Sequence, residues 1–292
     1  MLADVVELLI CPVCGGDLGL DERAVRCPSG HAFDVARQGY VSLLTGSRAP
    51  GTADSAEMVA ARDAFLGVGH FDPLAEAVAE ACRTGAEGSR RTGAKVVADA
   101  GAGTGHYLAR ALDRLPDAVG IALDVSKHAV RRAARAHPRL GAVVADVWRP
   151  MPVRSDSVDV LLNVFAPRNG PEFARVLGDD GTLVVVTPTS QHLEPLVERL
   201  GLLSVDEEKE RRVAESLGGH FAETGRSVHE FGMTLGREAV EAVVGMGPSA
   251  WHTDSHAMRA RITALPETSE VTASFRMSIF QRHHRSSPVL DR

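Results

Sequence analysis

The sequence is poor in aromatics, has no excess of basic charge and contains no long apolar run. Only 4% of its 292 residues are aromatic, with two Trp and two Tyr, so a core must come from Val, Leu and Ala. No stretch approaches the ~20 apolar residues of a membrane-crossing helix, which argues for no membrane partner. The first ten residues lack a basic segment, and Asp4 and Glu7 interrupt their apolar character. That argues against a signal peptide and for a cytoplasmic protein. The net charge of -6 is not the basic footprint usual for nucleic-acid binding. Charge is nevertheless uneven. Between Gly120 and Gly170, eight Lys and Arg face four Asp, a local basic excess that can steer RNA within an acidic chain or simply form a solvated helix face. There are only four cysteines, which in a cytoplasmic chain suit metal ligation or free thiols better than disulfides. No internal repeat or low-complexity tract is visible.

At about 150 residues per domain, the length suits one large domain and a small one. Three regions follow from the pattern: a cysteine-bearing segment at 1–45, a linker with helices at 46–93, and an alternating segment at 94–292. Asp54, with Glu57 three positions later, reads as the cap of a helix whose Met58, Ala61 and Phe65 share a face. A second helix is expected from Asp72 to about Arg83, with Pro73 in its first turn, and a loop over 84–93. Strands are expected at 95–100, 119–123, 142–145, 158–164 and 182–187, and helices at 105–115, 126–136 and 171–177. Such alternation predicts an α/β, doubly wound, Rossmann-like sheet. Gly178-Asp-Asp-Gly181 reads as a turn. Beyond Pro188, helices are expected at 191–200, 206–217, 236–245 and 255–264. Strands at 226–235 and 269–281 should pair as an antiparallel hairpin at the sheet edge.

Cys11-Pro-Val-Cys14 and Cys27-Pro-Ser-Gly-His31 lie twelve residues apart. A two-residue gap lets both thiolates of a knuckle reach one ion, and three thiolates with one imidazole close a tetrahedral zinc shell. With no open coordination position the zinc is structural. So short a module buries little core, and the metal supplies much of its folding free energy. Cys82, alone in a helix, reads as a small buried hydrophobe.

Val96-Val-Ala-Asp99-Ala-Gly101-Ala-Gly103-Thr-Gly105 is a strand, a glycine-rich turn and a helix start. Alone it also suits a nicotinamide-dinucleotide fold, although that fold more often carries the full spacing needed to approach a pyrophosphate. Carboxylates at successive strand ends favour S-adenosylmethionine. Asp99 could hold the cofactor's ammonium, Asp124 both ribose hydroxyls, and Asp146, beside Val147, the adenine amino group. Each Asp alone could be only a helix cap.

These residues resemble the bacterial 23S rRNA (guanine-N1)-methyltransferases, and most closely their tylosin- and mycinamicin-resistance members. The likeness spans nearly the whole chain. It includes the zinc motif with Phe33-Asp-Val-Ala-Arg-Gln-Gly-Tyr-Val-Ser, then Asp54-Ser-Ala-Glu-Met-Val-Ala-Ala-Arg, Gly69-His-Phe-Asp-Pro-Leu, Leu123-Asp-Val-Ser-Lys, Asn163-Val-Phe-Ala-Pro-Arg-Asn and Met246-Gly-Pro-Ser-Ala-Trp-His. The resemblance implies a class I S-adenosylmethionine-dependent methyltransferase with a small N-terminal zinc-binding domain. It implies a guanine in hairpin 35, near position 748, as target, and a homodimer whose zinc domains help grip the RNA. It also implies that Phe71, Gly103, Thr104 and His192 touch the cofactor. Phe71 stands where enteric members carry Tyr, so the aromatic wall is kept without its hydroxyl.

Guanine N1 is protonated at neutral pH and occupied in a base pair, so the base must be loop-borne or flipped into the pocket. At the end of the fourth strand, Phe165 could stack on the base and Asn163 could orient its edge. Two rival readings use the same residues. One is a methyltransferase acting on a small molecule, which the acidic total favours. The other is a non-catalytic zinc-containing RNA-binding factor, which would have no need of the Asp99, Gly101, Gly103, Asp124 set.

Overall fold

The computed structural model describes residues 1–46, 53–203, 215–247 and 255–283. After two short 3₁₀ turns, Leu2–Asp4 and Val6–Leu8, the N-terminal segment folds into three short antiparallel strands, β1 (Gly19–Asp21), β2 (Ala24–Arg26) and β3 (Ala32–Asp34). It then supplies a two-residue strand, β4 (Val41–Ser42). Helices α1 (Ala56–Gly67) and α2 (Asp72–Gly88) lead into the alternating part: β5 (Val96–Ala100), α3 (His106–Arg114), β6 (Val119–Asp124), α4 (Lys127–Ala133), β7 (Leu140–Val144), β8 (Val158–Val164), α5 (Gly170–Val176), β9 (Leu177–Pro188) and α6 (Leu196–Leu200). The last elements are β10 (Phe221–Gly236), α7 (Arg237–Gly245), α8 (Ser255–Thr263) and β11 (Thr268–Arg282).

Eight strands form one sheet in the order β10-β11-β9-β8-β5-β6-β7-β4. The strands from β9 to β4 in that order are parallel, and β11 runs antiparallel between β9 and β10. Reversal of order about β5 opens a crevice at the carboxyl ends of β5 and β8, where a doubly wound sheet binds its ligand. The central strands are buried on both faces, as in β5 and β8, where every residue is buried. Their side chains alternate. Val97, Leu162 and Val184 pack beneath α2 and α3, whereas Ala98, Leu161 and Val185 face α5 and the N-terminal module.

That module is therefore part of the sheet's second cover. Val5 and Leu9 are fully buried in the core that also holds Ile121, Val143 and Met151. A Cβ on Gly141 would stand 2.1 Å from Val5 Cγ2, so glycine is required where β7 meets the module. Leu9 bridges Val153, and Val41 pairs with Val143.

Several local expectations change. Ser55, not Asp54, caps α1, its Oγ accepting from the Met58 N–H at 3.2 Å, because the Asp54 carboxylate is ion-paired with Arg62. α2 continues into the first half of the expected loop, to Gly88, leaving 89–93 without helix, and Gly85 is the small residue that lets it lie against Thr182, whose Cβ would be 2.9 Å from a Cβ there. Gly178 to Gly181 are inside β9 rather than a turn. Residues 191–195 form turns, and helix begins only after Pro195, which lacks the N–H that a helix interior needs. β10 and β11 are longer than expected and form a pair, but α7 and α8 intervene between them, and β11 is sandwiched rather than at the edge. Of the helix expected over 206–217, residues 215–217 are helical and the rest lies outside the described residues. So do most of the 46–53 linker and residues 248–252 of the Met246–His252 motif.

Candidate active site

β5 ends in Asp99-Ala100 and passes into Gly101-Ala-Gly103-Thr-Gly105. All three glycines have positive φ, at 92°, 54° and 79°, which L side chains rarely adopt. Gly101 has no room either, since a Cβ would lie 2.3 Å from that of Ala166. The Gly101 and Ala102 N–H groups donate to Leu123 O at 2.8 and 2.9 Å, tying this turn to the end of β6. There Asp124 accepts from the Gly103 N–H and the Ser126 N–H, both at 2.8 Å. Burial raises the Asp124 carboxyl, while those two N–H groups pull it down.

The turn floors a cleft of 190 Å³. Asp99, Gly101, Gly103, Thr104 and Asp124 line it with Phe71 and Phe165, bringing together seven residues singled out from the sequence. Asp99 is 1% exposed, and neither of its oxygens accepts a hydrogen bond from a described residue. Burial, and then the charge of Asp124, push its carboxyl up to about 8. A buried carboxylate without partners is strongly unfavourable. An ammonium group delivered by a ligand would relieve it, and the amino-acid end of S-adenosylmethionine carries one.

Phe165 is the cleft's exposed aromatic, 44% accessible and at φ 56°. So bulky a residue keeps this conformation only where surrounding contacts hold it. Its N–H donates to Val186 O at 3.1 Å, and its ring meets Phe275 at 5.3 Å and Tyr107 edge-on at 6.2 Å. Asn163 lies beneath, fully buried, donating to Ala100 O at 3.0 Å and Pro167 O at 2.8 Å. These bonds tie the Phe165 loop to β5, while the Asn163 Oδ1 is buried with no partner among the described residues.

The remaining expected residues surround the cleft without being among those that line it. Gly105 caps α3, close against Ala133. Asp146 accepts from the Trp148 N–H at 3.0 Å. Val147 is buried, its carbonyl accepting from Asn169 at 2.9 Å. His192 packs on Phe275 at 4.5 Å and on Phe71 at 5.9 Å, backing the aromatic wall.

Four polar lining residues were not foreseen as site residues: Asp54, Arg62, His106 and Tyr107. Arg62 reaches in from α1, paired with Asp54 and donating to Met246 O at 3.0 Å. It lies over Gly103, where a Cβ would be 3.3 Å from its Nη1. The Tyr107 hydroxyl and His106 Nε2 are buried with no partner among the described residues. Burial raises the tyrosine and lowers the histidine, keeping both neutral. Their position directly after Gly105, in the first turn of a helix facing a ligand crevice, was the available signal.

At the other site, the ligand atoms of Cys11, Cys14, Cys27 and His31 all lie within 4.8 Å of one another. Cys14 Sγ is 3.7 Å from Cys27 Sγ, which is 3.3 Å from His31 Nδ1. The Gly16 N–H draws the Cys14 thiol down to about 6, favouring the thiolate that binds metal. Three sulfurs and a nitrogen at this spacing fit a structural zinc ion. Burial instead pushes the Cys82 thiol up and leaves it inert.

Two family models match the chain, one over each of these regions. Residues 9–46 match the zinc ribbon family described as RlmA, N-terminal, and residues 97–181 match a methyltransferase domain. A protein of Micromonospora griseorubida named as a 23S rRNA (guanine-N(1)-)-methyltransferase is 54% identical, over 96% of this chain and 99% of its own. The 23S rRNA (guanine(748)-N(1))-methyltransferase of Streptomyces fradiae is 48% identical, over 96% and 98%. A Bacillus subtilis protein with the same kind of name is 32% identical, over 88% and 90%. With its zinc cluster, its glycine turn and this full-length similarity, the chain belongs to the family of 23S rRNA (guanine-N1)-methyltransferases.

Proposed function

We propose that the protein methylates N1 of a guanine in 23S rRNA, in hairpin 35 near position 748, and that this protects against a macrolide. The observation that carries the reading is the partnerless Asp99 carboxylate at the foot of a cleft whose mouth bears an exposed, strained Phe165. The relatives' names support the base and the atom. S-adenosylmethionine, when bound, supplies a methyl already activated on its sulfonium, so the protein mainly has to align it with the base.

Asp99 would accept from the cofactor's ammonium and Asp124 from its ribose hydroxyls. Arg62 and the Tyr107 hydroxyl would serve its amino-acid carboxylate. Gly103, Thr104 and Phe71 would hold the cofactor along the cleft, with His192 behind Phe71, and Asp146 and Val147 would serve the adenine. Phe165 stacks on a guanine taken out of its helix. With the base held there, the proton on N1 would leave to water at the open mouth of the cleft. We further propose a cytoplasmic homodimer, testable by light scattering, with the zinc module (1–45), the linker and helices (46–93) and the methyltransferase unit (94–292) as its parts. No helix among the described residues is long and apolar enough to cross a membrane.

The test is transfer of labelled methyl to 23S rRNA fragments, followed by primer extension, because N1-methylguanine blocks pairing and stops reverse transcriptase. A stop in hairpin 35 that Asp124→Ala abolishes is the expected result. The net charge of -6 favours a second reading, methylation of a small molecule. Cofactor binding without RNA labelling would overturn the rRNA reading in favour of that one.

A further inference from the structure

An acidic protein that acts on RNA needs a place where phosphates are welcome, and the cofactor cleft, with Asp54, Asp99 and Asp124 in its walls, is not one. Beside it, α1 and α4 enclose a second, wider cavity of 530 Å³. α4 and the turn after it line this groove with His128, Arg131, Arg132 and Arg135, and α1 contributes Asp63. Arg132 is ion-paired with Asp63, which neutralises the one acid among the groove's described lining residues. Glu57 faces His128 but also accepts from Ser55 Oγ at 2.8 Å. Arg131 and Arg135 are exposed and have no acidic partner among the described residues.

Two guanidinium groups four positions apart, both without an acidic partner among the described residues, match the oxygens of phosphates. Arginine offers a planar fork of donors for such oxygens. Thr104 belongs to the wall of both cavities. A chain lying in the groove therefore runs immediately beside the cofactor cleft.

We infer that the groove between α1 and α4 binds the phosphodiester backbone of the RNA substrate next to the target guanine, through Arg131 and Arg135. The inference rests on the rRNA reading above and adds where the strand is held. Neither arginine lies in the cofactor cleft, so their removal leaves cofactor binding as it was.

The experiment is fluorescence anisotropy with a labelled RNA fragment containing hairpin 35, across a salt series. It compares the wild type, Arg131→Ala/Arg135→Ala and Arg131→Lys/Arg135→Lys. The alanine pair should weaken binding about tenfold at moderate salt and flatten the log–log salt slope by about 1.5, as expected for two lost phosphate contacts. The lysine pair should keep most of that slope. Calorimetric titration with S-adenosylmethionine should be the same for all three, which guards against misfolding. An unchanged Kd and slope in the alanine pair overturn the inference. Methyl transfer measured on the same samples separates the two claims. Binding that depends on these arginines without methylation upholds the groove and overturns the enzymatic reading, and a wild type that binds no RNA overturns both.

Discussion

Residues 1–46 and the sheet beside them differ in what fills their interiors. In the sheet, β5 and β8 are buried at every position, and each face has its own continuous apolar core. In the zinc module, β1 is wholly exposed and β3 nearly so. The module's apolar residues Leu2, Val5, Val6 and Leu9, with Leu18 and Val25, join the core on one face of the sheet rather than a separate core of their own. Metal ligation fixes the loops, and hydrophobic burial is used for docking. A segment too small to hold a core of its own thus becomes a rigid cover for one face of a methyltransferase sheet.

Removing the metal is the strongest way to break this comparison. Structural zinc contributes on the order of 10 kcal/mol in small zinc modules. Chelation, or Cys27→Ser, should abolish hydrogen-exchange protection across residues 9–35 while β5 and β8 keep theirs. Loss of protection in both would show that the two regions fold as one unit. Next in size is the seam itself. Leu9→Ala should lower stability by about 2–5 kcal/mol, read by denaturant unfolding, with the zinc content unchanged. The smallest effect belongs to the cleft mouth. Phe165→Ala should slow methyl transfer to RNA roughly ten- to hundredfold, the value of one lost base stack, without changing cofactor affinity in calorimetry.

The sequence disclosed what local chemistry dictates. A knuckle spacing names its metal, and a glycine turn between strand and helix, with Asp at two strand ends, names its crevice. It was silent where tertiary packing decides. Arg62 and Asp54 belong to the segment before the sheet, and nothing local says that α1 will lie over Gly103. Asp54 and Ser55 are both good helix caps, and the choice fell to the one without an arginine partner. Asn163 sits at a strand end where ligand contacts are common, yet both of its donors are taken by backbone carbonyls. α2 outran its expected end because Gly85 makes room for Thr182, a contact across 97 positions of chain that no local pattern records.

The most direct test concerns Asp99, on which the cofactor assignment turns. The native apoprotein holds the Asp99 proton up to about 8, against an ordinary value of 3.8. Between those values the folded state binds more protons than the unfolded one, so this group makes stability fall as pH rises across that window. Asp99→Asn removes the effect. Paired melting curves from pH 4 to 8, with S-adenosylmethionine titrations at neutral pH, should show the variant increasingly more stable than the wild type as pH rises, yet binding cofactor about a hundredfold more weakly. A variant that binds cofactor as tightly as the wild type, or whose stability difference does not change with pH, would contradict the account.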